Sequence, residues 1–279
     1  MADQLRRHRR ALALLLALPV LLLVASPSHA GTIYLSPGVP PPGANDPACR
    51  SAEHPEPVVL VHGTFEDMTT SWTVMAPALE ARGYCVWALD YGHRATDRIH
   101  DSAAELSAFV DHVLAATGAQ RVSIVGHSQG GMMPRWYLKF LGGTDKVDDL
   151  VGLAPSNHGT TNPFAFPAGR YGDCEACLQQ IAGSDFLKEL NAGDQTPAPV
   201  SYTVVETRYD EVVTPYRSAF LPQSADGRVT NVLLQDACPN DASEHLAIQG
   251  DPIAIQWVAN ALGRPGPADP AFRPSCLGA

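Results

Sequence analysis

The sequence predicts an α/β fold, with a doubly wound, mostly parallel sheet and helices on both faces. From about residue 57 onward, short apolar runs rich in Val, Ile and Leu alternate with segments of helical periodicity, and this alternation is typical of βαβ units. The apolar runs are continuous rather than alternating, as expected for strands that are covered on both faces. We find no internal repeat and no second domain boundary, and therefore interpret residues 57–279 as one domain.

The first 30 residues have the pattern of a secretory signal peptide. Four arginines, at positions 6, 7, 9 and 10, precede an apolar run over 11–24, and Ser28-His29-Ala30 supplies small residues near a cleavage site. The apolar run is short for a bilayer span. We expect cleavage after about Ala30, secretion into the extracellular medium and no stable membrane anchor.

The charge of the chain excludes some classes of partner. The full sequence has 19 Lys and Arg against 29 Asp and Glu, a net charge of −10, and loss of residues 1–30, with four Arg and one Asp, makes it −13. An acidic surface without a basic cluster argues against binding to nucleic acid or to anionic membranes. We expect a soluble exoprotein that acts as a monomer.

Six cysteines follow the expected cleavage site, and an even number in an exported chain suggests three disulfides. Fifteen pairings are possible, of which the simplest is sequential: Cys49 with Cys85, Cys174 with Cys177, and Cys238 with Cys276. The Cys174-Glu175-Ala176-Cys177 segment could instead be a redox site or half of a zinc site, although no second Cys-x-x-Cys accompanies it.

Residues 31–56 are rich in Pro and Gly and predict an extended N-terminal arm, which lies over the domain surface and is tied down by Cys49. The first strand, 57–61, is apolar throughout and leads directly into His62-Gly63-Thr64-Phe65. A buried parallel strand that ends in His-Gly can present a backbone N–H to a substrate oxyanion. We expect the amide of Thr64 to be one such donor.

The remaining elements alternate along the chain. Helices are expected over 71–82, 101–116, 129–141 and 184–191, and strands over 85–89, 121–125, 146–153, 199–207 and 229–234. A last helix is expected to open at His245 and to run to about Leu262, and Pro134 predicts a mild bend. An irregular apolar insertion near 161–182 lies at the carboxyl edge of the sheet, where ligands bind. It predicts a rim or small lid over a pocket, with a packing loop as the alternative.

The most specific pattern is Gly126-His127-Ser128-Gln129-Gly130-Gly131, between the strand 121–125 and the helix 129–141. A strand that ends in Gly-x-Ser-x-Gly and turns at once into a helix is typical of a nucleophile elbow, which lifts the serine hydroxyl clear of the sheet. Gly126 and Gly130 are needed because strand and helix press too closely for a Cβ. The amide of Gln129, at the positive end of the helix, is the second expected oxyanion donor. An ordinary strand-to-helix turn is the alternative.

A serine nucleophile needs a base, and the base needs an acid that fixes its tautomer. His245 is the expected base, because it lies in the loop after the last strand, downstream of Ser128. Asp210 is the expected acid, since it is the first acidic residue after the strand 199–207. Glu211 and Asp236 are its competitors.

Three segments together resemble the secreted bacterial triacylglycerol lipases of the α/β-hydrolase superfamily and, more distantly, fungal lipase B. They are Gly-His-Ser-Gln-Gly-Gly-Met-Met-Pro-Arg at 126–135, Leu-Ala-Pro-Ser-Asn-His-Gly-Thr at 153–160, and Tyr-Asp-Glu-Val-Val-Thr-Pro at 209–215. The likeness spans most of residues 55–262. It implies that Ser128, Asp210 and His245 form a catalytic triad. It also implies that Thr64 and Gln129 are the two oxyanion donors.

The resemblance also bears on the cysteines and on cofactors. Bridges between Cys49 and Cys85 and between Cys238 and Cys276 match the fungal pattern, whereas the Cys174 and Cys177 pair has no counterpart there. We find no cluster of calcium ligands such as some other bacterial lipases have. Neither a metal nor a cofactor is expected.

The function implied by this resemblance is hydrolysis of an ester or lipid substrate, with a lipid–water interface as one place of action. A triacylglycerol lipase is the leading expectation. The alternatives are a short-chain esterase or polyester-degrading hydrolase with the same triad and, more remotely, a non-catalytic lipid-binding domain. The side chains expected in the pocket, each of which could instead belong to the ordinary core, are Phe65, Phe164, Phe166, Val212 and Val213.

Overall fold

The fold is a single six-stranded sheet in which every strand pair is parallel, in the order β2-β1-β3-β4-β5-β6. The structure is a computed structural model and describes residues 38–277, so the expected signal peptide lies outside the described residues. The strands are β1 (Val58–Val61), β2 (Val86–Leu89), β3 (Val122–His127), β4 (Val147–Leu153), β5 (Ser201–Glu206) and β6 (Val229–Leu233). The predicted fold class is confirmed.

Helices connect these strands. They are α1 (Met68–Ser71), α2 (Met75–Glu80), α3 (Gly92–Ala95), α4 (Ile99–Thr117), α5 (Gln129–Met132), α6 (Pro134–Phe140), α7 (Ala165–Tyr171), α8 (Glu175–Gln179), α9 (Asp185–Leu190), α10 (Leu234–Ala237) and α11 (Pro252–Leu262). Within residues 38–277, none of them is long and apolar enough to cross a membrane.

The sheet is buried on both faces because successive side chains of each strand enter two different hydrophobic cores. Val59 and Val61 of β1 belong to the core that also holds residues of α4, α6 and α9. Val58 and Leu60 belong to the other core, which holds residues of α2 and α11. This double burial explains why the strands are apolar at every position instead of at every second one.

Several helix boundaries differ from the sequence prediction, and the helix expected over 71–82 is shortened to α2. The helix expected over 129–141 is divided into α5 and α6 at Pro134, which begins α6, because a proline is best tolerated in the first turn of a helix. The prediction that His245 opens the last helix is wrong. α11 begins at Pro252, where the side chain of Asp251 accepts hydrogen bonds from the amides of Ile253 and Ala254. His245 therefore lies in a loop.

The part of the N-terminal arm that the structure describes, from residue 38 to residue 56, contacts the edge strand β2. Ala44 forms a parallel bridge with Val86, and the Asn45 side chain pairs with both backbone groups of Ala88 at 2.9 and 2.7 Å. Three disulfides are formed: Cys49–Cys85, Cys174–Cys177 and Cys238–Cys276. The first of them ties the arm to the start of β2.

Candidate active site

Ser128 lies at a strained turn between β3 and α5. Its backbone has φ 53° and ψ −120°, a positive φ that a residue with a Cβ adopts only when its surroundings enforce it. The Ser128 amide donates to the carbonyl of Leu153 at 2.9 Å, and the Ser128 carbonyl accepts from the amide of Gly131 at 3.0 Å. These bonds hold the turn that presents the hydroxyl group at the carboxyl edge of the sheet.

The two glycines that flank the elbow are required by close backbone contacts. A Cβ on Gly126 would lie 1.9 Å from the carbonyl oxygen of Gly130, and a Cβ on Gly130 would lie 2.1 Å from the carbonyl oxygen of Val61. Both distances are far shorter than a nonbonded contact, and the opposing atoms are backbone atoms that cannot move aside. This turn can therefore form only with glycine at both positions.

His245 and Asp210 form a buried hydrogen-bonded pair. The Nδ1 atom of His245 lies 2.7 Å from Oδ2 of Asp210, and Oδ1 of Asp210 accepts from the amides of Val212 and Val213 at 2.8 and 2.7 Å. An acid bound at Nδ1 makes that nitrogen the donor, which leaves Nε2 as the free base. Asp210 follows β5, two strands along the sheet from β3, and the pair reaches the same edge as Ser128.

One cavity of about 570 Å³ joins these residues. Ser128, His245 and Thr64 line it, together with Phe65, Phe164, Val212 and Val213, four of the five expected pocket residues. Phe166 is exposed and does not line it. Among the hydrogen bonds of residues 38–277, none joins the Ser128 hydroxyl to the His245 ring, and such bonds commonly tighten only when substrate is bound.

Thr64 follows β1, and Gln129 is the first residue of α5. The neighbouring strands β1 and β3 are paired, with Val61 opposite Gly126, which brings the two segments together. The Thr64 hydroxyl donates to Oε1 of Gln129 at 2.7 Å. Neither amide has an acceptor among the backbone hydrogen bonds of the described chain, so both are free to donate to a ligand.

Comparison with known proteins identifies the family. The family model described as lipase (class 2) matches residues 55–258, which include every residue of the cavity described above. The chain belongs to the class 2 lipase family. The match begins just before β1 and ends within α11, so it spans the sheet as a whole.

Relatives of this class 2 lipase are similar over shorter segments. It is 36% identical over 86 residues to a triacylglycerol lipase of Pseudarthrobacter phenanthrenivorans, which is 29% of this chain and 27% of that protein. A triacylglycerol lipase of Burkholderia plantarii is also 36% identical over 86 residues, 29% of this chain and 24% of that protein. The chain thus spans about a quarter of the length of these two curated relatives.

Solved structures show the same fold at low identity. Aspergillus fumigatus lipase B superposes with a TM-score of 0.71 and 23% identity, over 83% of this chain and 57% of that chain. The propeptide form of Bacillus licheniformis lipase BlEst2 superposes with a TM-score of 0.59 and 18% identity, over 85% of this chain and 55% of that chain. These likenesses establish the α/β-hydrolase fold of the class 2 lipase.

The insertion expected near 161–182 consists of α7 and α8, and it forms one wall of the cavity. Phe164, Ala165, Ala168 and Cys177 all line the cavity, and Cys177 is bonded to Cys174. The segment therefore takes the position of a rim. Within residues 38–277, no group of three or more His, Cys, Asp or Glu side chains is arranged to hold a metal ion.

Gln180, which sequence reasoning did not single out, connects this rim to Thr64 and Gln129. Its Nε2 atom donates to the Thr64 hydroxyl at 3.0 Å and to Oε1 of Gln129 at 3.0 Å, and its Oε1 atom accepts from the Ser156 hydroxyl at 2.8 Å. The side chain is almost fully buried. A lone glutamine after a Cys-x-x-Cys segment carries no sequence signal for this role.

Two carboxyl groups near the triad were also missed. Glu66, three residues after Gly63, lies with Oε2 3.1 Å from Nδ1 of the His127 ring. Glu206, the last residue of β5, is fully buried beside Asp210. From the sequence alone, a single glutamate in a loop or at a strand end cannot be distinguished from an exposed surface acid.

Proposed function

We propose that this class 2 lipase is an exported serine carboxylic ester hydrolase, specifically a triacylglycerol lipase, that acts through an acyl-enzyme on Ser128. One observation carries the proposal. Ser128, at the strained elbow, opens into the same cavity as His245, whose Nδ1 binds Asp210 at 2.7 Å. The family membership supports the reaction class, and the two relatives named triacylglycerol lipase support the substrate class.

In the first half-reaction, the Ser128 oxygen attacks the ester carbonyl while Nε2 of His245 takes the hydroxyl proton. The tetrahedral oxyanion accepts hydrogen bonds from the amides of Thr64 and Gln129, each worth roughly 3 kcal/mol of transition-state stabilisation. Asp210 holds the ring orientation and stabilises the imidazolium. The C–O bond then breaks, and His245 returns its proton to the leaving alcohol.

In the second half-reaction, water replaces the alcohol. Nε2 of His245 takes a proton from the water, and the water oxygen attacks the acyl carbonyl at the same oxyanion donors. The bond between the acyl carbon and the Ser128 oxygen breaks, and His245 returns the proton to Ser128. The carboxylic acid leaves, and the triad is restored.

The shape and lining of the cavity favour an apolar acyl group. Its volume of about 570 Å³ lies in the range of sites that hold a drug-sized ligand. Its wall is supplied largely by aromatic and aliphatic side chains, including Phe65, Phe164, Val213 and Leu246. Phe164 is 77% exposed and Leu246 is 56% exposed, so the apolar surface continues to the mouth of the cavity.

Export is part of the proposal. We propose that residues 1–30 are removed as a signal peptide and that the remaining chain acts outside the cell as a monomer. The three disulfides support this, because such bonds persist in oxidising compartments and are rare in the bacterial cytosol.

Hydrolysis of p-nitrophenyl esters from short to long acyl chains tests the reaction. Wild type should turn over the series, and Ser128→Ala should lose activity by at least about 10⁴-fold. Ser102→Ala is the matched control, because Ser102 is equally buried on α4 but does not line the cavity, and it should retain activity. Turnover that survives in Ser128→Ala would overturn the assignment of the nucleophile.

The acyl-chain profile then separates the substrate classes. Preference for long chains and for triolein over tributyrin supports the lipase. Turnover confined to short chains favours an esterase, and release of monomers from polyester films favours a polyester hydrolase. If wild type hydrolyses no ester and Ser128→Ala binds lipid as well as wild type does, the domain is a binder and the proposal is wrong.

A further inference from the structure

His127 is a buried ring whose two nitrogens both face acceptors. It precedes Ser128 and is 1% exposed. Nδ1 lies 3.1 Å from Oε2 of Glu66, and Nε2 lies 2.8 Å from the backbone carbonyl of His245. A neutral imidazole has one donor and one acceptor, so it can satisfy only one of these partners. Two donors are available only on the imidazolium.

The other contacts of Glu66 show that it is the anion of this pair. Its Oε2 atom accepts from the Gly63 amide at 2.7 Å and from the Ser71 hydroxyl at 3.1 Å. Its Oε1 atom accepts from Nε2 of Gln249 at 2.7 Å. With His127, four donors converge on one carboxyl group, an arrangement that suits an ionised carboxylate, which is an acceptor only.

The pair connects the three segments that the proposed reaction uses. Glu66 fixes the amide of Gly63, next to the oxyanion donor Thr64, and His127 is joined by a peptide bond to Ser128. The far nitrogen of His127 holds the backbone of His245, and the two rings lie 4.8 Å apart. We infer that the Glu66 carboxylate and the His127 imidazolium form a positioning pair that sets the place of the His245 base relative to Ser128. This inference rests on the proposed function.

The charges around the pair are consistent with this assignment. Burial raises the pKa of Glu66, but the charge and hydrogen bond of His127, with the bonds from Gly63 and Gln249, outweigh it and lower the pKa to about 2. Burial lowers the pKa of His127, but Glu66, the bond to the His245 carbonyl and the charge of Asp210 outweigh it and raise the pKa. Two further basic groups lie close by: His62, which Glu66 also influences, and Arg94, which lines the cavity.

The directions of these two pKa shifts define the pH range in which both Glu66 and His127 are charged. The contribution of His127 is complete below its ordinary pKa of 6.5 and is lost as the pH rises through its raised value. The contribution of Glu66 is complete above its ordinary pKa of 4.5 and is lost as the pH falls toward about 2. Both charges are therefore fully in place between pH 4.5 and 6.5, and loss of the anion should expose His127 to titration at neutral pH.

Glu66→Gln removes the charge and keeps the size of the side chain. Loss of a carboxylate at 3.1 Å should lower the pKa of His127, because the charge and the hydrogen bond that raise it are both removed. The ring then loses its charge at a lower pH than in wild type and releases one acceptor. We expect the ratio of kcat between Glu66→Gln and wild type to fall at least about tenfold between pH 5.5 and 8.5, with KM changed less than about twofold.

The control is Asp149→Asn, the same carboxyl-to-amide change at a second buried position, where burial raises the pKa of the acid to about 8. Asp149 lies on β4 and accepts a hydrogen bond from the hydroxyl group of Ser123, 26 positions earlier in the chain. It does not line the cavity that contains Ser128 and His245. Its ratio of kcat to that of wild type should stay constant over the same pH range. A constant ratio for Glu66→Gln as well would overturn the inference.

A second measurement does not depend on activity. Nitrogen-15 NMR of wild type at pH 6 should show one histidine with two protonated, slowly exchanging ring nitrogens, and this signal should be lost in Glu66→Gln at pH 7.5. A single protonated ring nitrogen on His127 in wild type would overturn the inference. If wild type proves inactive on every ester, the proposed function fails, while this spectrum still decides whether the pair is charged.

Discussion

Glu206, the last residue of β5, is a fully buried acid that feels the charge of Asp210, the proposed partner of His245. Oε1 of Glu206 accepts from the amide of Thr207 at 2.8 Å, and Oε2 has no conventional donor among the described residues. Burial raises the pKa of Glu206 well above its usual value, and the charge of Asp210 raises it further. Burial and the charge of Asp210 therefore favour the neutral, protonated form of Glu206.

This relationship predicts that Glu206→Gln is tolerated. The glutamine keeps one acceptor and one donor, so kcat/KM should stay within about threefold of wild type, whereas Glu206→Leu, without either, should lose about tenfold or more.

Folded Glu206 retains a proton that the unfolded chain releases above its ordinary pKa of 4.5, so the free energy of unfolding of wild type falls as the pH rises. Urea unfolding at pH 5, 7 and 9 should show a growing advantage for Glu206→Gln. A constant difference would contradict a buried neutral acid.

The hydrogen bonds of Gln180 predict a kcat effect without a KM effect. Gln180→Leu should lower kcat about tenfold, because one lost hydrogen bond is worth roughly 0.5 to 1.5 kcal/mol and here it orders Thr64 and Gln129. Its neighbour Gln179 is the control, since it accepts from the amide of Ile99 at 2.7 Å, away from the oxyanion donors. Gln179→Leu should reduce thermal stability and leave kcat unchanged. Equal kcat in both variants would refute a role for Gln180 beyond packing.

The sequence predicts the strand-to-helix turn around Ser128 well, because the residues that form this turn are neighbours along the chain. Six consecutive residues contain the tight turn, the proposed nucleophile and one proposed oxyanion donor, and the close contact of Gly126 with Gly130 involves residues only four positions apart. The strands are equally local, since burial on both faces makes each one apolar throughout. The alternation of strands and helices predicts a parallel sheet, in which the carboxyl ends of β3 and β5 lie at one edge.

The polar partners around the site are not local, and this is why the sequence does not reveal them. Glu66 and His127 are 61 positions apart, Thr64 and Gln180 are 116 apart, and His127 and His245 are 118 apart. The start of the last helix has a local cause instead. The Asp251 side chain caps α11 and Pro252 lies in its first turn, so the helix begins after His245.

The three disulfides should differ in their contribution to stability. The Cys49–Cys85 and Cys238–Cys276 bridges span 36 and 38 positions, whereas Cys174–Cys177 spans 3. Because a bridge restricts the unfolded chain, each long bridge should add about 4 kcal/mol to the free energy of unfolding and the short one about 2 kcal/mol. Serine double variants, compared by urea unfolding, should show this order. A larger loss for Cys174→Ser/Cys177→Ser would mean that the cavity wall formed by α7 and α8 depends on the bridge itself.

The contacts of His245 predict which acid serves it. Asp210→Asn should lower kcat by about 10³- to 10⁴-fold, because an amide at Oδ2 favours the wrong tautomer of the ring. Glu211, the adjacent acid, reaches only the backbone amide of His245 at 3.5 Å, and Asp236 contacts Arg208 instead. Glu211→Gln and Asp236→Asn should therefore change kcat less than about threefold. Since all three variants remove one acid near the same loop, a comparable loss in either control would contradict a specific role for the 2.7 Å bond between Asp210 and His245.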